Sequence, residues 1–139
     1  MVIYSPSVYV YRDSTNYEKM KKKDTFETAM IACAAVKNPK LNKDGDYMDE
    51  KDRECMKQKI RNILTTGVLK KHDAIVLGCF GGGCYNNPVK IVANIFCDVL
   101  EEGFMYQYKK IVFAVLDYTY EKRYFEPFNN KLHMWLNLI

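Results

Sequence analysis

The sequence predicts an α/β fold: a three-layer sandwich in which a mixed, mostly parallel sheet carries helices on both faces. Three observations predict it. Short, continuously apolar runs have the composition of strands buried on both sides. Segments with the spacing of amphipathic helices alternate with those runs. The chain has 139 residues, 48% of them hydrophobic, which suits one domain over residues 1–139 with a single core.

Taken in order, Ser7-Val8-Tyr9-Val10-Tyr11-Arg12 alternates and is rich in β-branched and aromatic residues, the pattern of a strand. Residues 13–24 are polar and charged, a loop. Thr28 through Val36 is an apolar run that reads as a second, buried strand, ending at Lys37-Asn38-Pro39, where the residue before proline leaves helix geometry. An acidic turn around Asp44-Gly45-Asp46 follows.

A helix is expected from Asp49. Met56, Ile60, Ile63, Leu64 and Val68 form its apolar face, Arg53, Lys57 and Arg61 line another, and Gly67 marks its end or a kink. Ala74-Ile75-Val76-Leu77-Gly78 is a third strand. Asn87-Pro88 pairs an N-cap residue with a proline at the first helical position. The helix so opened carries Val89, Val92, Ala93, Phe96, Val99 and Leu100 and stops at Gly103. Ile111 through Leu116 is the fourth strand. A last helix from about Arg123 carries Phe128, Leu132, Trp135 and Leu136.

Composition narrows the function. Net charge is +4, from 21 Lys+Arg against 17 Asp+Glu. That suits an anionic small molecule and gives no nucleic-acid footprint. The Lys21-Lys22-Lys23 run reads as a solvated loop. No apolar run reaches the ~18 residues of a membrane helix, and the opening residues have no signal-peptide pattern. Five cysteines, an odd count, are expected as reduced thiols. A soluble, cytoplasmic domain without a membrane partner is the expectation.

The informative segment is Gly78-Cys79-Phe80-Gly81-Gly82-Gly83-Cys84-Tyr85-Asn86-Asn87-Pro88. It follows a buried strand and opens a helix, the place where open α/β sheets bind ligands. Glycines let backbone N–H groups approach an anion, and a helix N-terminus adds partial positive charge, a cradle suited to phosphate or diphosphate. The other reading is a tight strand-to-helix turn that binds nothing, for which three glycines are more than needed. A triphosphate-binding P-loop would need Lys-Ser/Thr after Gly83, where Cys84-Tyr85 stands. The dinucleotide fingerprint would need glycine at Asn86. Phe80 and Tyr85 are rings that either join the core or pack on a sugar or base.

Several of these segments, in order along the chain, form a pattern. Tyr4-Ser5-Pro6 with Val8 through Asp13, then Ala32 through Pro39, then Ile75 through Pro88, resemble the microbial-type poly(ADP-ribose) glycohydrolases, a branch of the macrodomain superfamily. That pattern runs roughly Tyr-Ser-Pro-x-Val-x-Val-Phe-Arg-Asp, Ala-Ala-x-Asn and Leu-Val-Leu-Gly-Ala-Phe-Gly-Cys-Gly-Val-Phe-x-Asn-x-Pro. The last stretch is one residue shorter here, and Val112-Phe113-Ala114-Val115 also matches. The resemblance covers almost the whole chain, as the C-terminal half of such a protein. Gly82 stands in place of the central loop cysteine, and Cys79 and Cys84 replace small apolar neighbours. The Gln-Glu-Glu motif that does the glycosidic chemistry in the family, upstream of Tyr-Ser-Pro, occurs nowhere in the 139 residues.

The resemblance implies a macrodomain-like fold that binds ADP-ribose or an ADP-ribosylated molecule, with no cofactor. Gly78, Phe80, Gly81, Gly82, Gly83, Cys84, Tyr85 and Asn86 would contact it. The glycines would hold the diphosphate, Tyr85 would lie near the distal ribose, and Asp117, Tyr118 and Phe125 near adenine. The alternative is a hydrolase acting on the distal ribose, on ADP-ribose 1''-phosphate or a mono-ADP-ribosyl ester, with Asn38, Asn86 and Asp117 as candidate helpers. Without the carboxylate motif, cleavage of the polymer itself is not expected.

Other candidates are set aside on spacing. Glu101-Glu102 ends a helix and reads as solvent-exposed. Asn42 through Asp46 is a turn, since a calcium loop in that register would begin at Lys40 and end at Lys51. The cysteine spacings form no metal pattern, and a Cys84 nucleophile would have only His72 or His133 as base.

Overall fold

The computed structural model describes residues 1–136, and of residues 134–136 the backbone alone. Strands β1 (Ile3–Val10) and β2 (Phe26–Ala32) precede helix α1 (Glu50–Leu69). Then come β3 (Ala74–Leu77), α2 (Val89–Glu101), β4 (Lys110–Phe113) and α3 (Phe125–Leu136), with short 3-10 turns at Lys22–Asp24 and Phe104–Tyr106. This is a mixed α/β fold in the predicted order. No described helix is long and apolar enough to cross a membrane.

The strands differ from expectation in how they pair. They form two separate two-stranded sheets, β1 with β2 antiparallel and β3 with β4 parallel. The apolar run is also not the buried strand expected: no residue of β2 is buried, and Met30 is 48% exposed, because β2 is covered by no partner beyond β1. Such a run carries no information on strand direction, so the antiparallel pairing was not legible in the sequence. β1 starts earlier than predicted, with a register irregularity between Ser5 and Val8. Pro6 sits inside it, where a ladder N–H is not required. β2 ends at Ala32 rather than Val36. The following residues turn away to meet other groups: the Val36 N–H lies 3.3 Å from the Met56 sulfur, and its carbonyl meets the loop described below.

The helices follow the predicted stripes. Asp49 caps α1, its carboxylate accepting the Lys51 N–H at 2.9 Å. Met56, Ile60, Ile63 and Leu64 are buried as expected. Gly67 neither ends nor breaks α1. It is buried inside the helix because Tyr108 packs against it, and a Cβ there would collide with the Tyr108 hydroxyl. That hydroxyl donates to the Leu64 carbonyl at 2.6 Å. α2 is the most buried element, with seven core residues from Val92 to Leu100, and Gly103 follows its end at φ 115°. Phe96, Phe113 and Phe128 join α2, β4 and α3 with ring centroids 5.1–6.0 Å apart. The side chains of Trp135 and Leu136 lie outside the described residues.

Val76 is 70% exposed, while its neighbours Ile75 and Leu77 pack into the core. One face of the β3–β4 pair is thus covered and the other is open at this residue. A second helical layer there is not part of the described fold.

Candidate functional site

The parallel pairing brings the C-terminal ends of β3 and β4 side by side. The Ala114 N–H donates to the Leu77 carbonyl at 2.7 Å, so the loops that follow both strands share one edge. The loop after β3 is the glycine-rich segment.

One side chain organises that loop. Asn87 is 3% exposed. Its Oδ1 accepts the Tyr47 hydroxyl at 2.8 Å, and its Nδ2 donates to the carbonyls of Val36 at 2.7 Å and Gly81 at 3.0 Å. Its backbone N–H also donates to the Gly81 carbonyl at 3.0 Å. Three stretches distant in sequence are held at one buried amide. Burial, with Asp46 and Asp52 nearby, pushes the Tyr47 phenol up, so it remains a neutral donor.

This role corrects the sequence reading of Asn87 as an N-cap. The cap position of α2 belongs to Pro88, in extended geometry at φ −70° and ψ 105°. No side chain caps the first turn of α2, and the Asn87 amide turns inward instead. The one sequence signal was a polar residue between an exposed loop and a strongly apolar helix.

The glycines divide the work. Gly81 has φ +74°, and a Cβ would come within 2.6 Å of Ala35 Cβ and Asn87 Nδ2, so it is required by conformation and by close approach. A Cβ on Gly82 would strike the Cys79 sulfur and lie 3.0 Å from Val89. Gly83 is different, because a Cβ there meets nothing within 4 Å. Among the described residues, the N–H groups of Gly81, Gly83, Cys84 and Tyr85 have no protein acceptor. Gly78 is exposed, and Phe80 packs partly against the core.

Tyr85 is half-buried against the core, and its carbonyl accepts the Asn38 N–H at 2.9 Å. Asn38 and Asn86 both adopt left-handed backbone, φ 49° and 53°, which asparagine tolerates better than most residues. The Asn86 amide donates to Asn38 Oδ1 at 2.8 Å. The structure therefore brings together exposed Asn38 and Asn86 with half-buried Tyr85 in one cluster that stitches the loop after β2 to the glycine loop. Cys84 is exposed and unpaired, while burial pushes the Cys79 thiol up to about 11.

Asp117 and Phe125 belong to a second cluster, beyond β4. Asp117 Oδ1 accepts from the Thr119 N–H and hydroxyl at 2.9 and 2.6 Å, and Oδ2 accepts from the N–H groups of Tyr124 and Phe125 at 2.7 and 2.9 Å. Partial desolvation opposes ionisation, but the hydrogen bonds from Thr119, Phe125 and Tyr124 outweigh it and hold the carboxyl well below the usual carboxylate range. An acid held ionised in this way is a poor proton donor at neutral pH. Its visible work is to organise the entry to α3. Phe125 is 40% exposed and lines a cavity of about 470 Å³ with Phe113, Val115 and Phe128. Tyr118, 89% exposed, projects from the same loop.

The remaining candidates are accounted for. In the Asn42–Asp46 turn, Asn42 Oδ1 accepts the N–H groups of Asp44 and Asp46, both at 3.0 Å. Glu102 is exposed by its surface area, yet it forms a two-point pair with Arg61 at 2.6 and 2.7 Å that ties α2 to α1. Among the described residues, no group of three His, Cys, Asp or Glu is placed to hold a metal ion.

No protein-family model matches the sequence, and no curated protein does. Solved structures do match in fold. A poly(ADP-ribose) glycohydrolase from Deinococcus radiodurans in complex with ADP-ribose aligns with TM-score 0.83 and 21% identity, over 96% of this chain and 52% of that one. Its apo form gives 0.81 at 22% identity, over 96% and 54%. The glycohydrolase from Thermomonospora curvata gives 0.81 at 23% identity, over 94% and 46%. The fold of the chain is thus similar to that of about half the length of these poly(ADP-ribose) glycohydrolases.

Proposed function

We propose that the protein binds ADP-ribose or an ADP-ribosylated molecule, with the diphosphate on the glycine loop. The observation that carries this reading is the loop itself. It is clamped by Asn87 and, among the described residues, leaves four N–H groups without a protein acceptor, with open space in front of Gly83. The adjoining N-terminus of α2 favours negative charge at the same place. Several of the structures sharing this fold hold ADP-ribose, which agrees with a ligand of that class. Adenine would take the aromatic cavity beside Phe125, and the distal ribose the cluster of Tyr85, Asn86 and Asn38.

Binding is favoured over hydrolysis of the distal ribose. Asn38 and Asn86 bond each other and neither is an acid, and Asp117 is committed to four hydrogen bonds. Five free thiols suit the reducing cytoplasm.

Gly83→Val tests the reading. The open space around Gly83 lets the fold survive, while the side chain fills the volume a phosphate would use. Gly82→Val is unsuitable, since its Cβ meets Cys79 and Val89. A hydrogen bond to a charged group is worth about 1.5–3 kcal/mol, so calorimetric titration with ADP-ribose should show at least a tenfold loss. Unchanged affinity in a folded Gly83→Val variant overturns the phosphate assignment.

A further inference from the structure

The arc of backbone that carries the loop's open N–H groups is held at both ends by one side chain. Asn87 Nδ2 lies 3.0 Å from the Gly81 carbonyl and 3.3 Å from the Tyr85 carbonyl. Between those two carbonyls lie the N–H groups of Gly83, Cys84 and Tyr85, which have no protein acceptor among the described residues. The Asn87 amide is oriented in turn from its other side, where Oδ1 accepts the Tyr47 hydroxyl at 2.8 Å. Tyr47 is 6% exposed, so it stands behind the loop rather than in it. It is also fixed independently of the loop. Residues 40–48 close into a short hairpin, in which Leu41 pairs with Tyr47 and the Met48 N–H donates to the Lys40 carbonyl at 2.8 Å. Asp46 ties that hairpin to α1, since its Oδ1 accepts the Tyr47 N–H at 2.7 Å and its Oδ2 pairs with Arg53 at 2.6 Å.

We propose that Tyr47 is a positioning residue that sets the affinity of the glycine loop for a diphosphate, which rests on the function proposed above. A run of glycines has more backbone freedom to lose than any other sequence, and freezing it when the ligand arrives costs affinity. The Asn87 amide has two N–H hydrogens and faces three carbonyls, those of Val36, Gly81 and Tyr85. Its hold on the arc therefore depends on how the amide plane is set. The Tyr47 hydroxyl sets that plane through Oδ1, and the N–H groups of the arc are arranged before the ligand arrives. Tyr47 acts on the diphosphate, the part that ADP and ADP-ribose share, whereas Tyr85 acts on the distal ribose that only one of them carries.

The test compares the 139-residue chain with Tyr47→Phe and with Ile60→Val, a control in the buried face of α1 that costs comparable stability. Titration calorimetry is run at a temperature where all three are folded. Tyr47→Phe should weaken ADP and ADP-ribose by the same factor, about three- to tenfold, the range of one neutral hydrogen bond. Ile60→Val should weaken neither. In the ligand-free proteins, nitrogen NMR relaxation should give the N–H groups of Gly83 and Cys84 order parameters of about 0.85 in wild type and Ile60→Val, falling toward about 0.6 in Tyr47→Phe. Unchanged affinity in folded Tyr47→Phe overturns the proposal and leaves the diphosphate assignment standing. A loss confined to ADP-ribose, an equal loss in Ile60→Val, or order parameters that do not move overturn it in the same way. A wild type that binds neither ADP nor ADP-ribose overturns the diphosphate assignment and the role of Tyr47 together.

Discussion

Replacing Asn87 by alanine should be the most damaging single change near the loop. Asn87→Ala removes the acceptor of the buried Tyr47 hydroxyl and the donor to the Val36 carbonyl. The Gly81 carbonyl keeps the backbone N–H of residue 87, so two groups are stranded. An unsatisfied buried polar group costs about 1–3 kcal/mol. Val36 is only half-buried, which places the total at about 3 kcal/mol, or roughly 10 °C in melting temperature for a chain of this size. Tyr47→Phe strands only the Asn87 oxygen and should cost about 1–2 kcal/mol. In the double variant neither group remains to be stranded by loss of the other, so the two costs should fall short of additivity by about 1 kcal/mol. Urea denaturation followed by far-UV circular dichroism measures all three. A cost for Asn87→Ala below about 1 kcal/mol, or strict additivity with Tyr47→Phe, would refute the clamp.

Three further outcomes are expected. Gly67→Ala, which in an exposed helix would stabilise by about 0.5–1 kcal/mol, should here destabilise by about 1–2 kcal/mol because the Tyr108 hydroxyl must move off Leu64; in a Tyr108→Phe background most of that cost should vanish. The lowered Asp117 carboxyl contributes stability that is present above the ordinary carboxylate value and lost as pH falls through its folded value. The melting-temperature gap between wild type and Asp117→Asn should therefore stay constant from pH 8 to about pH 5 and close below about pH 4. Tyr85→Ala should weaken ADP-ribose much more than ADP in titration calorimetry, and an equal loss would assign the ring to packing alone.

The helices and the position of the loop were legible because their signals are local. Asp49 as a cap, the Met56–Ile60–Leu64 stripe and the Phe96–Leu100 face follow from spacing that tertiary structure did not override. Strand pairing was not legible, since Thr28–Ile31 and Ala74–Leu77 look alike as apolar runs yet one pairs antiparallel and the other parallel. Gly67 misled because a glycine late in a helix usually marks an end, and nothing local announces that Tyr108, far along the chain, needs the space. Asn87 misled for a similar reason. Asn-Pro before a helix has the form of a cap, and only Tyr47 and Val36, brought in by the fold, reveal the clamp. The glycine loop was found as a unit, but the unequal roles of Gly81, Gly82 and Gly83 depend on neighbours such as Ala35 and Val89.

The central claim is that the loop recognises a diphosphate, and a calorimetric series of AMP, ADP and ADP-ribose on the wild-type chain tests it most directly. If the loop donates N–H groups to a second phosphate, ADP should bind at least tenfold more tightly than AMP, on the scale of one charge-assisted hydrogen bond. ADP-ribose should bind more tightly again through the cluster around Tyr85. No measurable binding of ADP-ribose, or equal affinity for AMP and ADP, would contradict the account.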